Sequence, residues 1–211
     1  MTGAAQGSRV EVRLPDADAT RRYGRALAAV LRAGDLVVLT GDLGAGKTTL
    51  TQGLGAGLGV RGQVASPTFI IAREHPPLPR EDGSTGPGLV HVDAYRLSSL
   101  DEVDALDLDS SLDESVTVVE WGEGWVEGLA ADRLEVRVQR PRGVGGPRTA
   151  DDTEDSEDRL DTDALDAAAG ERVVTVTGVG ARWDGVELPG DPADPGAPGS
   201  GGPDQPHGVA G

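Results

Sequence analysis

Apolar residues in the first part of the chain alternate between strand-like and helix-like spacing. VEVRLP (10–15) alternates like a strand, and DADATRRYGRALAAVLRAG (16–34) follows with apolar residues at helical spacing, with Asp16 or Asp18 as its N-cap. The apolar run DLVVLT (35–40) predicts a buried strand. GAGKTTLTQGLGAGLG (44–59) predicts a helix directly after it.

The same alternation continues to about residue 120. LVHVDAYR (89–96) predicts a second apolar strand, DEVDALDL (101–108) a short helix, and VTVVEW (116–121) a third strand. Buried strands interleaved with helices are typical of an α/β domain, in which helices flank a largely parallel β-sheet. We therefore predict an α/β fold with a single core.

Two further strand-like segments surround an acidic stretch. DRLEVRVQR (132–140) and ERVVTVTGVGARW (171–183) both alternate between apolar and polar residues. We interpret them as a hairpin whose loop has expanded into an insertion. The chain then divides into a core (9–140), an acidic disordered insertion (141–170), a returning strand that completes the core (171–187) and a Gly/Pro-rich disordered tail (188–211).

Composition and charge narrow the classes of protein. The 211 residues carry a net charge of −17, and residues 141–211 alone hold 15 acidic and 5 basic residues. Such acidity argues against direct binding of DNA or other nucleic acid, which depends on Lys and Arg. The chain has no cysteine, no leader-like apolar segment and no run long enough to span a membrane. We therefore expect a cytoplasmic protein that meets any RNA through a partner.

The segment GDLGAGKTT (41–49) matches the phosphate-binding pattern G-x-x-x-x-G-K-[ST] between a predicted strand and a predicted helix. Glycines let the backbone N–H groups of such a loop approach a β-phosphate, and the following helix directs its N-terminus at the same anion. Lys47 would then bridge the β- and γ-phosphates, and the Thr48 hydroxyl would ligate Mg²⁺. The chain has 18 arginines and one lysine, and that lysine is Lys47. The sequence therefore predicts binding of ATP with magnesium.

Other candidate residues follow the loop. Asp93 and Glu120 come at the ends of apolar strands, where a P-loop enzyme needs a carboxylate for the metal or its water shell. The segment VASPTFII (64–71) lies where switch segments sense a γ-phosphate, although an ordinary turn before a strand would look the same. His91, next to Asp93, fits a structural role better than a catalytic one.

Taken in order, GDLGAGKTT, SPTF, HVDAYR and EW resemble the bacterial TsaE family, also called YjeE, over about residues 9–140. The resemblance implies a P-loop NTPase fold and an ATPase needed to make threonylcarbamoyladenosine in tRNA. It also implies that TsaB and TsaD homologues are the partners and that tRNA is met only indirectly. In that family TsaD transfers the threonylcarbamoyl group, and the TsaE-like protein hydrolyses ATP to sustain turnover.

The resemblance also implies roles at matching positions. Lys47, Asp93 and Glu120 would be catalytic, and Thr48, Glu120 and Asp93 would hold the metal. Residues expected beside the nucleotide are Thr20, Gly41, Asp42, Leu43, Gly44, Ala45, Gly46, Lys47, Thr48, Thr49, Ser66, Pro67, Thr68 and Trp121. The acidic insertion, the tail and the segment EWGEGW (120–125) depart from the usual family pattern.

Three other classes of protein share a P-loop. A small-molecule or nucleotide kinase needs a lid with arginines, for which REHPPLPRED (73–82) with Arg73 and Arg80 is the candidate, although it also fits a surface loop. A GTP-dependent switch needs a second lysine to recognise guanine, and the chain has none. A non-catalytic relic would have no use for Thr48 and two strand-end acids.

Overall fold

A computed structural model describes residues 8–65, 72–96, 113–141 (except 125, 127 and 129) and 170–191. Within these residues the chain forms seven strands and two α-helices. In order they are β1 (Arg9–Leu14), α1 (Ala17–Ala28), β2 (Leu36–Thr40), α2 (Lys47–Leu58), β3 (Ala72–His75), β4 (Gly88–Asp93), β5 (Ser115–Glu120), β6 (Arg133–Gln139) and β7 (Arg172–Val179). Short 3-10 helices at Ala94–Arg96 and Ala181–Trp183 follow β4 and β7.

The seven strands make one mixed sheet in the order β1-β7-β6-β2-β5-β4-β3. The four central strands β6, β2, β5 and β4 are mutually parallel. At one edge β7 and β1 run antiparallel to their neighbours, and at the other edge β3 does so. The predicted α/β fold is confirmed. The parallel strands form the centre of the sheet. Their carboxyl ends, which come from distant segments of the chain, therefore lie at the same end of the sheet.

Strand β2 lies at the middle of the sheet and is apolar on both faces. Val37 and Leu39 pack with the large apolar cluster that includes both helices, and Leu36 and Val38 pack in a second cluster with residues of β4 and β5. A strand that is covered on both faces has apolar residues at successive positions rather than at alternate ones. This explains the uninterrupted apolar run in the β2 sequence LVVLT. Because β2 leads directly into the P-loop, this burial fixes where that loop begins.

The helices α1 and α2 pack closely because glycines lie where they meet. A Cβ atom at Gly24 would overlap the carbonyl of Leu50, and one at Gly53 would overlap the carbonyl of Arg21. Glycine lowers helix stability by about 1 kcal/mol relative to alanine. The close approach of the two helix backbones therefore explains Gly24 in α1 and Gly53 in α2.

Most of the predicted elements are confirmed. Asp16 is the N-cap of α1, and its side chain accepts a hydrogen bond of 2.7 Å from the N–H of Ala19. The strand β3 was not predicted, because AREH is short, charged and lies at the sheet edge. The predicted helix at 101–108 lies outside the described residues. Among the residues described, no helix has the length and apolar character needed to cross a membrane.

Packing continues beyond residue 187, the predicted end of the core. Leu188 is buried in the main apolar cluster, and the Pro189 carbonyl accepts a hydrogen bond of 3.1 Å from the Tyr23 hydroxyl. Burial raises the pKa of Tyr23. The first residues predicted as tail therefore belong to the core. The many glycines and prolines around them had favoured a disordered tail in the sequence.

Ending the chain at residue 187 should lower its melting temperature by several degrees, whereas ending it at residue 191 should change it little. The shorter chain loses the burial of Leu188, worth about 2 kcal/mol, and the Tyr23 hydrogen bond, worth about 1 kcal/mol. Thermal unfolding of both truncations and of full-length Leu188→Ala would measure this. Equal melting temperatures for the two truncations would contradict it.

Candidate active site

The loop between β2 and α2 has the backbone of a phosphate-binding loop. Gly41, Gly44 and Gly46 all have positive φ angles, of 140°, 72° and 108°. Side-chain-bearing residues adopt these angles at a cost, which explains glycine at each position. Gly46 is the N-cap of α2 and provides no side-chain cap. The N–H groups of the first turn are therefore available to an anion.

The ends of β6 and β7 form the back wall of this loop. A Cβ atom at Gly41 would overlap the Val138 carbonyl, and the Arg172 side chain lies 3.5 Å from the position a Gly46 Cβ would take. Arg172 is fully buried at the start of β7, and its guanidinium donates a hydrogen bond to the Gly170 carbonyl. Burial lowers the pKa of Arg172. The C-terminal strands thus shape the loop although they are distant from it in sequence.

Lys47 is buried beneath the loop that precedes it. Its Nζ donates hydrogen bonds of 2.9 Å to the Gly41 carbonyl and 3.0 Å to the Asp42 carbonyl. It also lies 3.6 Å from the centre of the Trp121 ring, within cation–π range. Burial lowers the pKa of Lys47, while the negative charges of Glu120, Asp93 and Asp42 oppose this shift.

Glu120 brings three elements together at the end of β5. Its carboxylate accepts hydrogen bonds of 3.0 and 3.3 Å from the Thr48 hydroxyl at the start of α2. The His91 Nε2 on β4 lies 2.8 Å from Glu120 Oε1. Asp93 pairs with Glu120 in the strand register, so the two strand-end acids are neighbours. The carboxylate is only 3% exposed, which makes these contacts its replacement for water.

Trp121, directly after Glu120, has an unusual backbone. Its φ angle of 63° makes it the one non-glycine residue with positive φ in the described part of the chain. A bulky residue in this region stores about 1–2 kcal/mol of strain. The strained turn places the Trp121 ring beside Lys47 and edge-on to Tyr95, with ring centres 5.4 Å apart. The strain therefore coincides with the site.

An open cavity of about 200 Å³ lies at this site. That is below the roughly 300 Å³ of sites that enclose a whole small molecule, so it suits the phosphate end of a nucleotide. It is lined by Leu43, Gly44, Gly46, Lys47, Thr48, Thr49, Asp93, Glu120 and Trp121.

Most of the sequence-predicted site residues therefore meet in one place. Gly41, Asp42 and Ala45 belong to the same loop without lining the cavity. Thr20 lies apart from the cavity lining, buried in α1, where its hydroxyl donates to the Asp16 carbonyl at 2.9 Å. Ser66, Pro67 and Thr68 lie outside the described residues.

Sequence reasoning missed two contributors. His91 was assigned a structural role, although its position two residues before Asp93 puts both side chains on one face of β4, a usable signal. Arg172 carried no such signal, since it reaches the loop only through the sheet order. The proposed kinase lid is not supported: Arg73 lies on the edge strand β3, and neither Arg73 nor Arg80 lines the cavity.

A buried parallel strand, a glycine loop, a helix starting at Lys47 and a carboxylate on the adjacent strand together define a P-loop NTPase fold. Comparison with known proteins agrees. The crystal structure of YdiB from Bacillus subtilis superposes with a TM-score of 0.54 at 28% identity, covering 85% of this chain and 92% of that one.

The family can also be named. The model of the family described as "Threonylcarbamoyl adenosine biosynthesis protein TsaE" matches residues 14–145. A Streptomyces coelicolor protein named tRNA threonylcarbamoyladenosine biosynthesis protein TsaE is 57% identical over 77% of this chain and 93% of its own length. The protein of that name from Mycobacterium tuberculosis strain H37Rv is 47% identical over 60% of this chain and 77% of its own length. The chain belongs to the TsaE family.

The contact between Gly41 and β6 predicts unequal effects of two alanine substitutions in the loop. Gly44→Ala should cost about 1 kcal/mol, since it adds a Cβ at positive φ in open space. Gly41→Ala should cost at least about 3 kcal/mol, because its Cβ also meets a backbone carbonyl that cannot move freely. Denaturant unfolding of both variants measures the difference. Equal losses would show that the loop is not held against β6.

Proposed function

We propose that this chain is an Mg²⁺-dependent ATPase that supports the threonylcarbamoyl transfer carried out on tRNA by TsaB and TsaD homologues. The observation that carries the proposal is the contact of Thr48 with Glu120 in the cavity that Lys47 also lines. These are the side-chain types that phosphoryl transfer requires, a phosphate-bound lysine, a metal-binding hydroxyl and a strand-end carboxylate.

The phosphates of ATP would occupy the concave side of the loop. The free N–H groups at the start of α2 and the positive charge of Lys47 both favour an anion there. Lys47 would exchange its hydrogen bonds to the Gly41 and Asp42 carbonyls for phosphate oxygens. A phosphate group would also oppose the effect of burial on the pKa of Lys47, since an anion stabilises the protonated amine.

The residues present fit Mg²⁺. The Thr48 hydroxyl and the Glu120 and Asp93 carboxylates are hard oxygen ligands, which this ion prefers. In the part of the chain that is described, no group of three or more His, Cys, Asp or Glu side chains could hold a metal by itself. Mg²⁺ commonly completes its shell with water and phosphate, so ATP would bring the ion with it. When bound, the ion neutralises charge on the transferring phosphate.

The assignment to the tRNA modification machinery rests on the family. The relatives from Streptomyces and Mycobacterium carry that biosynthetic name, and their sequences align over most of their length. The net charge of −17 argues that this chain does not hold tRNA by itself. We therefore propose that a TsaB–TsaD pair presents the RNA and that ATP hydrolysis by this chain sustains repeated turnover of that pair.

Lys47→Ala should reduce ATP hydrolysis at least about 100-fold, because it removes the one side-chain cation that lines the described cavity. The variant should still fold, since burying the ammonium costs free energy that alanine avoids. Phosphate release should be measured with and without a cognate TsaB–TsaD pair. Arg22→Ala, which removes an exposed charge from α1, is the control. Unchanged turnover in Lys47→Ala would refute the phosphate assignment.

Glu120→Gln should reduce hydrolysis about 10- to 100-fold while metal-free ATP affinity stays within about threefold. The substitution keeps the size of the side chain and removes the charge that would hold Mg²⁺, while the loop amides are untouched. Glu123→Gln, three residues further and exposed, is the matched control. Measuring hydrolysis in Mg²⁺ and ATP binding in EDTA separates the two effects. A parallel loss of both would mean that Glu120 is structural.

A further inference from the structure

We propose that His91 is a positioning residue that fixes the Glu120 carboxylate in the orientation in which it would meet Mg²⁺. The inference rests on the proposed function, since it gives His91 a role toward the metal ion assigned there. It differs from the structural role that the sequence favoured. The contacts of the two ring nitrogens decide between these roles.

The hydrogen bonding of His91 is directed at Glu120. The ring is fully buried on β4, and its Nε2 lies 2.8 Å from Glu120 Oε1. A carboxylate accepts hydrogen bonds, so Nε2 carries a proton and donates it. The Nδ1 atom is buried without a hydrogen-bond partner among the described residues. Among the described residues, the one hydrogen bond of the ring is therefore the one to Glu120.

His75, which is also buried, provides a contrast. His75 on the edge strand β3 is 5% exposed, and its Nδ1 lies 3.4 Å from the Arg61 carbonyl. Its contact is therefore with the backbone of a loop, and it lines no part of the candidate cavity. His75 is a natural control for any general effect of removing a buried imidazole.

Metal binding would leave Glu120 dependent on His91. In the present arrangement the carboxylate has two side-chain donors, Thr48 and His91. If the Thr48 hydroxyl bound Mg²⁺, the ion would determine the orientation of that hydroxyl. Its hydrogen bond to Glu120 would then hold the carboxylate less firmly. His91 lies on β4, which pairs with β5, so its donor would remain beside Glu120 when the ion binds. Groups that orient a metal ligand in this way commonly change metal affinity 10- to 100-fold.

Two substitutions separate the donor from the shape of the ring. His91→Leu removes the donor and fills the buried position with an apolar side chain of similar size. His91→Gln places an amide N–H near the position of Nε2 and should restore the contact, whereas the shorter His91→Asn should not. His75→Leu is the matched control. Because the Gln and Asn variants are both polar, their comparison remains informative if His91→Leu folds poorly.

The experiment is a Mg²⁺ titration of the full chain bound to a non-hydrolysable ATP analogue, followed by the rise in analogue affinity. We expect His91→Leu and His91→Asn to need at least about tenfold more Mg²⁺ than the wild type, with analogue affinity in EDTA changed less than twofold. His91→Gln and His75→Leu should stay within about threefold of the wild type. Melting temperatures, measured in parallel, report on folding.

The outcomes distinguish this inference from the proposed function. An unchanged Mg²⁺ requirement in His91→Leu, or equal shifts in His91→Gln and His91→Asn, would overturn the positioning role. Wild-type chain that binds the analogue with Mg²⁺ but hydrolyses no ATP, alone or with a TsaB–TsaD pair, would overturn the ATPase proposal and leave the titration result standing. Wild-type chain without any Mg²⁺ response would overturn both.

Discussion

The structure of the site depends on one buried carboxylate, that of Glu120. A negative charge that is 3% exposed is stable only if donors replace the water it has lost. Thr48 and His91 supply them from α2 and β4, and Glu120 itself ends β5. The carboxylate therefore ties the helix of the P-loop to two parallel strands. The carboxyl ends of parallel strands lie at the same end of the sheet, so the fold itself brings these distant segments together.

The phosphate loop depends in turn on strands that come much later in the chain. Gly41 packs against the carbonyl of Val138 on β6, and Gly46 lies beside Arg172 on β7. The strand β7 follows the acidic segment 142–169, which the structure does not describe. The antiparallel pairing of β6 with β7 therefore does more than extend the sheet, because it holds Val138 and Arg172 against the loop. The motifs of the family signature end at residue 121, yet the loop they contain packs beside Arg172.

The sequence was informative where one physical pattern dominates. Alternation and apolar runs located β1, β2, β4, β5, β6 and β7. The N-cap of α1 was predicted at Asp16 or Asp18, and the structure has it at Asp16. Side-chain contacts across the sheet were harder to predict from the sequence. The contact of Arg172 with the loop can be predicted only if the strand order is known, and that of His91 with Glu120 only if the strand register is known. The short strand β3 and the burial of Leu188 were also missed, because charged or glycine-rich neighbours mask them. The local sequence pattern was therefore enough to predict the loop, whereas the residues that pack around it could be identified only from the fold.

Lys47 is held by contacts within the protein in the position that the proposed function requires. A buried ammonium is unfavourable, and the lowered pKa of Lys47 reflects that cost. Two loop carbonyls and the face of Trp121 stabilise it, and Trp121 adopts a strained backbone to reach it. Under the proposed function, these contacts with carbonyl dipoles and a ring would exchange for phosphate oxygens, while the negative charges of Glu120, Asp93 and Asp42 favour the protonated amine. Under the proposed function, the same lysine would be held by the protein alone and would also favour a bound polyphosphate.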